Sequence, residues 1–131
     1  MSGGPAALRV LLADDASEMR ALLRWALVRD DGALEIADEV ADGDAALRRA
    51  ADLRPDVVVL DLQMPGPAPD ALLAAMAEAA PGIPIVTFSG FEPDLVAPAQ
   101  AGLVALHIPK TTDLALVREA ILDVARGTAS A

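Results

Sequence analysis

The sequence predicts an α/β fold: a doubly wound, five-stranded parallel sheet of strand order 2-1-3-4-5 with five helices. Three observations predict it. Short aliphatic runs alternate along the chain with stretches of helical periodicity, the pattern of repeated strand–helix units. Several runs are apolar at consecutive positions, as strands covered on both faces are. The polar residues Asp14, Asp15, Asp61, Ser89 and Lys110 fall just past strand ends, and open α/β sheets bind ligands beyond the carboxyl ends of their strands.

Taken in order, residues 1–7 read as a flexible tail, 8–126 as one domain and 127–131 as a second tail. Leu8–Ala13 (LRVLLA) is a short apolar run ending at two aspartates and suits a buried strand. Ser17 is placed to cap the helix that follows. In that helix Met19, Leu22, Leu23, Ala26 and Leu27 form an apolar stripe, stopped by Asp30, Asp31 and Gly32. Leu34–Val40 is a second, less apolar strand, expected at an edge. Asp42, Gly43 and Asp44 open a helix through Leu53. Val57–Leu60 is a continuous aliphatic strand ending at Asp61.

The loop Gln63–Pro69 carries three Pro and one Gly. A third helix follows, with Leu72, Leu73 and Met76 inward. Ile85–Phe88 is the fourth strand, ending at Ser89 and Gly90. Residues 92–100 make a weak helix because Pro98 lies inside it and removes a backbone donor. Leu103–Ile108 is the fifth strand. Asp113 is placed to cap the last helix, whose stripe is Leu114, Val117, Ile121 and Val124. Repeats, low-complexity tracts and a second domain are not seen.

Composition narrows the function. The chain has 131 residues, enough to bury a core without staples. Aromatics are limited to Trp25, Phe88 and Phe91, so the core is aliphatic. The absence of Cys removes disulfides and thiolate catalysis. No apolar run approaches the ~20 residues of a membrane helix, and no signal peptide is read; the expected location is cytoplasmic. A net charge of −10 opposes binding to nucleic-acid phosphates.

In the order 2-1-3-4-5, strands one, three, four and five lie side by side and bring Asp14, Asp15, Asp61, Ser89 and Lys110 to one rim. Carboxylates a few ångströms apart repel by about 4 kcal/mol per pair at an effective dielectric of 20. A hard divalent cation with oxygen ligands relieves this, and Mg²⁺ binds through one or two carboxylates plus phosphate oxygens. Lys110 adds a fixed positive charge and Ser89 a hydroxyl. The set suits a transferring phosphoryl group, with a carboxylate as nucleophile.

At these residues the chain resembles the CheY-like receiver domains of two-component response regulators, which have a flavodoxin-like fold. PDVVVLDLQMPG (55–66) is similar to their phosphoacceptor strand and loop, and LLADD (11–15) to their acidic pair. IPIVTFSG (83–90) resembles their fourth strand, and HIPK (107–110) the segment bearing their lysine. The resemblance implies that Asp61 accepts phosphate from a sensor histidine kinase or a small phosphodonor. It implies that Asp15 binds Mg²⁺ directly, that Asp14 acts directly or through water, and that the Gln63 backbone carbonyl is a further ligand. Lys110 pairs with the phosphate, and Ser89 moves toward it. The face of the fourth predicted helix, fifth strand and fifth helix then shifts to engage a downstream protein target or a second copy of the chain.

The chain departs from that family in places. His107 stands where an aromatic switch residue is usual, Thr111 follows Lys110 where a Pro is common, and Gly102 is displaced by one residue. Phe91 is bulky at the rim and is expected to slow water entry. Plainer readings exist for each residue: an Asp pair as helix cap, Ser89 as a turn residue, Lys110 as a solvated side chain, His107 as structural. Trp25 lies about a third of a turn off the helix stripe and is expected half-buried. Leu116 and Leu122 are read as exposed apolar residues or part of a partner surface. Two rival functions are a non-phosphorylated pseudo-receiver and a small aspartate-nucleophile phosphatase. The phosphatase lacks an acid/base Asp two residues after the nucleophile, since Gln63 is there, and it lacks a cap insertion.

Overall fold

Five parallel strands form one sheet in the order β2-β1-β3-β4-β5. The computed structural model describes residues 6–90 and 102–129. The elements are β1 (Leu8–Ala13), α1 (Ser17–Leu27), β2 (Leu34–Val40), α2 (Gly43–Leu53), β3 (Val57–Leu60), α3 (Pro69–Ala79), β4 (Ile85–Ser89), β5 (Val104–Pro109) and α4 (Leu114–Ala129). The helix expected over 92–100, with Pro98, and the rim residue Phe91 lie outside the described residues. The expected tail from 127 begins inside α4, which runs on to Ala129.

Side chains alternate across the sheet with the two-residue period of a strand. Val10, Leu12, Val57, Val59, Val86 and Phe88 point to one face, against Leu23 and Leu27 of α1 and Val117 and Ile121 of α4. Leu11, Ala13, Val58, Leu60 and Ile85 point to the other, against Ala46 and Ala50 of α2 and Leu72, Leu73 and Met76 of α3. The central strand β3 is buried along its whole length, which is why its sequence does not alternate. The edge strand β2 is buried only at its ends.

Local signals explain most helix starts. Asp42 caps α2 by accepting the Ala45 N–H at 2.8 Å. Pro69 opens α3, where its missing N–H is harmless. Asp113 accepts the Ala115 N–H at 2.8 Å before α4. Ser17 is not the cap of α1: the capping position is Ala16, which makes no side-chain bond, and the Ser17 hydroxyl turns to Glu18. The orphan N–H of Ala16 goes instead to Asp14 Oδ1 at 2.9 Å, so the site residue itself closes this helix end. The first strand-five residue is Val104 rather than Leu103.

Two surface expectations change. Trp25 is 68% exposed, not half-buried. Leu122 is in the core, whereas Leu116, on the same helix, is exposed.

Candidate functional site

The carboxyl ends of β1, β3, β4 and β5 build the site. β1 and β3 are adjacent, and the Asp61 N–H donates to the Ala13 carbonyl at 2.8 Å, locking the two strand ends together. The Lys110 N–H donates to the Ser89 carbonyl at 3.0 Å and does the same for β5 and β4. Asp14, Asp61 and Ser89 are buried, Lys110 is half-buried, and Asp15 and Gln63 are exposed.

Lys110 Nζ reaches both buried acids, at 3.0 Å from Asp14 Oδ2 and 3.3 Å from Asp61 Oδ2. It also lies 5.9 Å from the centroid of the Phe88 ring, whose face favours a cation. Asp61 Oδ1 accepts the Gln63 N–H at 2.9 Å. Oxygens of Asp14, Asp15 and Asp61 all lie within 4.8 Å of one another. Asp14 Oδ2 faces Lys110 without the alignment of a hydrogen bond, and among the described residues it has no hydrogen-bond partner.

The electrostatics follow from these contacts. Burial pushes the Asp61 carboxyl above its ordinary range. The Gln63 N–H and the Lys110 charge pull it down, the Asp14 charge pushes it up, and the net direction is upward. Burial acts on Lys110 in the opposite sense, lowering its pKa, but the facing carboxylates of Asp14 and Asp61 outweigh it and the net shift is upward. The ammonium is therefore held charged, and it faces both Asp14 and Asp61. A perturbed buried acid beside a fixed cation in a carboxylate cluster is the signature of a functional site.

Comparison with known proteins agrees. Residues 10–122 match the response regulator receiver domain family.

The chain belongs to that family.

Its fold is close to the receiver domain of AraT from Geobacillus stearothermophilus, with a TM-score of 0.81 and 27% identity over 95% of this chain and 97% of the other. The receiver domain of the putative response regulator NarL from Mycobacterium tuberculosis gives a TM-score of 0.80 and 29% identity, covering 94% and 99%. Among curated proteins, protein-glutamate methylesterase/protein-glutamine glutaminase 5 of Myxococcus xanthus (strain DK1622) is 43% identical over 114 residues. That match takes in 85% of this chain but only 32% of the relative, so the receiver spans about a third of that protein's length.

The receiver fold brings together Asp14, Asp15, Asp61 and Lys110, as the strand-end reading expected, and places Ser89 at the adjoining end of β4. Two contacts were not legible. Arg20 Nη1 donates to the Asp14 backbone carbonyl at 2.6 Å and its Nε lies 3.6 Å from Glu39 of β2, tying the acidic turn to the edge strand. His107 Nδ1 is 2.7 Å from the hydroxyl of Thr87, a fully buried residue on β4. The pairing follows from the β4–β5 register, which sets Thr87 opposite His107, and register is not written in either strand alone.

Proposed function

We propose that this receiver is a phosphorylation switch in which Asp61 accepts a phosphoryl group in a Mg²⁺-dependent transfer. The observation that carries this reading is the buried Asp61 carboxylate, with Oδ1 fixed by the Gln63 N–H and Oδ2 beside Lys110, open to a cluster of further carboxylates.

The residues present fit Mg²⁺. The donors are hard oxygens, and Asp14 Oδ2 is a buried acceptor left without a hydrogen bond. Asp14, Asp15, Asp61 and the Gln63 carbonyl would hold the ion. When bound, it neutralises charge on the phosphoryl oxygens and on the acid cluster. The chain's own groups do the rest. A carboxylate oxygen of Asp61 forms the bond to phosphorus as the bond from phosphorus to the donor breaks, and the leaving group departs with that electron pair. Lys110 neutralises the incoming charge. The Ser89 hydroxyl, at the end of the neighbouring strand, donates to a phosphoryl oxygen. The added negative charge redistributes Lys110 and Ser89 and shifts the face that includes β5 and α4.

The donor is a sensor histidine kinase or a small phosphodonor, the domain works in the cytoplasm, and the output is protein contact, with a downstream target or a second copy. The likeness to methylesterase/glutaminase relatives favours an enzyme domain of that type as the target. The domain itself is a signalling module whose chemistry is limited to its own phosphorylation and dephosphorylation.

Incubation with acetyl phosphate, read by intact mass, tests the reading. Wild type gains one phosphoryl group with Mg²⁺ and none without it, and Asp61→Asn and Asp61→Ala gain none. Labelling that survives both substitutions places the acceptor elsewhere. No labelling of wild type under conditions that label a control receiver favours a pseudo-receiver.

A further inference from the structure

We propose that Gly43, the first residue of α2, is a positioning residue for the loop that follows Asp61. This rests on the phosphoacceptor reading of that loop and extends it to a helix that contributes no side chain to the site.

The first turn of α2 is seated directly on the loop. The Gly43 N–H donates to the Pro65 carbonyl at 3.0 Å. Gly66 has φ +117°, a conformation that favours glycine, and a Cβ there would sit 3.3 Å from Gly43 N. A Cβ on Gly43 would stand 3.0 Å from Cδ of Pro67 and 3.3 Å from Cδ1 of Leu72. Two glycines on separate elements therefore meet closely, and a methyl group on either would force its neighbours to give by a few tenths of an ångström.

The consequence reaches the acid. Gln63 lies two residues before Pro65, and its N–H holds Asp61 Oδ1 at 2.9 Å. Its carbonyl is the proposed backbone ligand. Pro65 and Pro67 fix φ on either side of Gly66, and the place of Gly66 is set by what it rests on. α2 is anchored independently, by the Asp42 cap and by burial of Ala46 and Ala50. Gly43 transmits that fixed position to the Gln63 backbone and through it to the Asp61 rotamer. Displacing the loop by a few tenths of an ångström loosens one bond to the acceptor acid and misplaces one ligand together.

Alanine is the better helix former, so local propensity alone gives Gly43→Ala an equal or more stable helix and an unchanged site. The seating contact gives the opposite result at the site. Three proteins test it: Gly43→Ala, Pro67→Ala, which removes the ring atom in the way, and the double variant. Mg²⁺ affinity is measured by calorimetry without a phosphodonor, and exchange of the Gln63 amide is followed by NMR without Mg²⁺. Gly43→Ala is expected to weaken Mg²⁺ binding about tenfold, the size typical when support of a metal ligand is lost, and to speed Gln63 exchange. The double variant is expected to recover both. Wild-type values in a folded Gly43→Ala protein overturn the proposal. If that single variant does not fold, the double variant decides: near-wild-type values support the seating contact, and impaired ones overturn it. A wild type that binds no Mg²⁺ defeats the phosphorylation reading instead, and Gln63 exchange still tests the seat.

Discussion

Two clusters of charge sit at opposite ends of β1 and α1 and are built from similar parts. On the outer face of α1 and α4, Arg118 donates to Asp31 Oδ2 at 2.8 Å, lies 3.8 Å from Glu119 Oε1 and faces the Leu27 carbonyl at 3.4 Å. Arg29 lies over Trp25, 5.8 Å from the ring centroid. At the rim, Asp14 and Asp61 share Lys110, with Asp15 beside them in the acid cluster. Two carboxyl groups move in opposite directions as a result. The Ala33 N–H, with Arg118 assisting, holds Asp31 below its ordinary range, whereas burial lifts Asp61 above it. The outer cluster meets its charges within the protein and helps close the helix ends. The rim crowds three carboxyl groups around one ammonium, an arrangement that suits the cation proposed for it. The difference marks which cluster is a site: it is the one the protein does not finish by itself.

The largest test of this contrast is Lys110→Ala. Losing the cation that faces the acceptor is expected to slow phosphorylation by acetyl phosphate on the order of 100-fold. Mg²⁺ binding should persist or tighten, because a competing cation is gone. Calorimetry and intact mass read the two effects separately, and parallel loss of both would mean that Lys110 only maintains the fold.

Asp61→Asn is expected to raise the melting temperature at neutral pH, because it removes a buried charge. The native pKa of Asp61 lies above the unfolded value of roughly 3.9, so between the two values the native state binds more protons, and its contribution to stability falls as pH rises. The gap between wild type and Asp61→Asn should therefore vanish in strong acid, open as pH climbs through the native pKa and then stay constant. A constant gap at every pH would contradict this reading.

The smallest effect belongs to the outer face. Asp31→Asn should lower the melting temperature slightly at neutral pH, because Asp31 is exposed although its partner Arg118 is buried, and salt should shrink the difference. Because the native pKa of Asp31 is depressed, its contribution is present above the ordinary carboxylate value and disappears as pH falls through the native one. An Asp31→Asn effect larger than that of Asp61→Asn would reverse the comparison.

Some of this was plain in the chain and some was not. The segment VVVL before Asp61 and the run LRVLLA before Asp14 are strands by composition, and their ends fix where the acids stand. Of the stripe Met19, Leu22, Leu23, Ala26 and Leu27 of α1, the last three turned fully inward and Met19 partly, whereas Leu22 is exposed. Trp25 was misjudged because a helical wheel gives an angle but not the reach of the neighbouring helix. The cap of α1 was misplaced because Asp14, rather than Ser17, takes the free N–H.

The sequence by itself determined the alternation of strands and helices, and that Asp14, Asp15, Asp61, Ser89 and Lys110 end up at or just beyond strand ends. Periodicity and composition are local, and these features depend on nothing else. Only the tertiary structure decided that Asp14 is buried while its neighbour Asp15 is exposed, that one ammonium serves two acids, that Arg20 ties down the acidic turn, and that α2 rests on the loop after Asp61. Each of these depends on groups far apart in the chain whose distances are set by strand register and helix packing, and burial and charge balance exist only once those distances do.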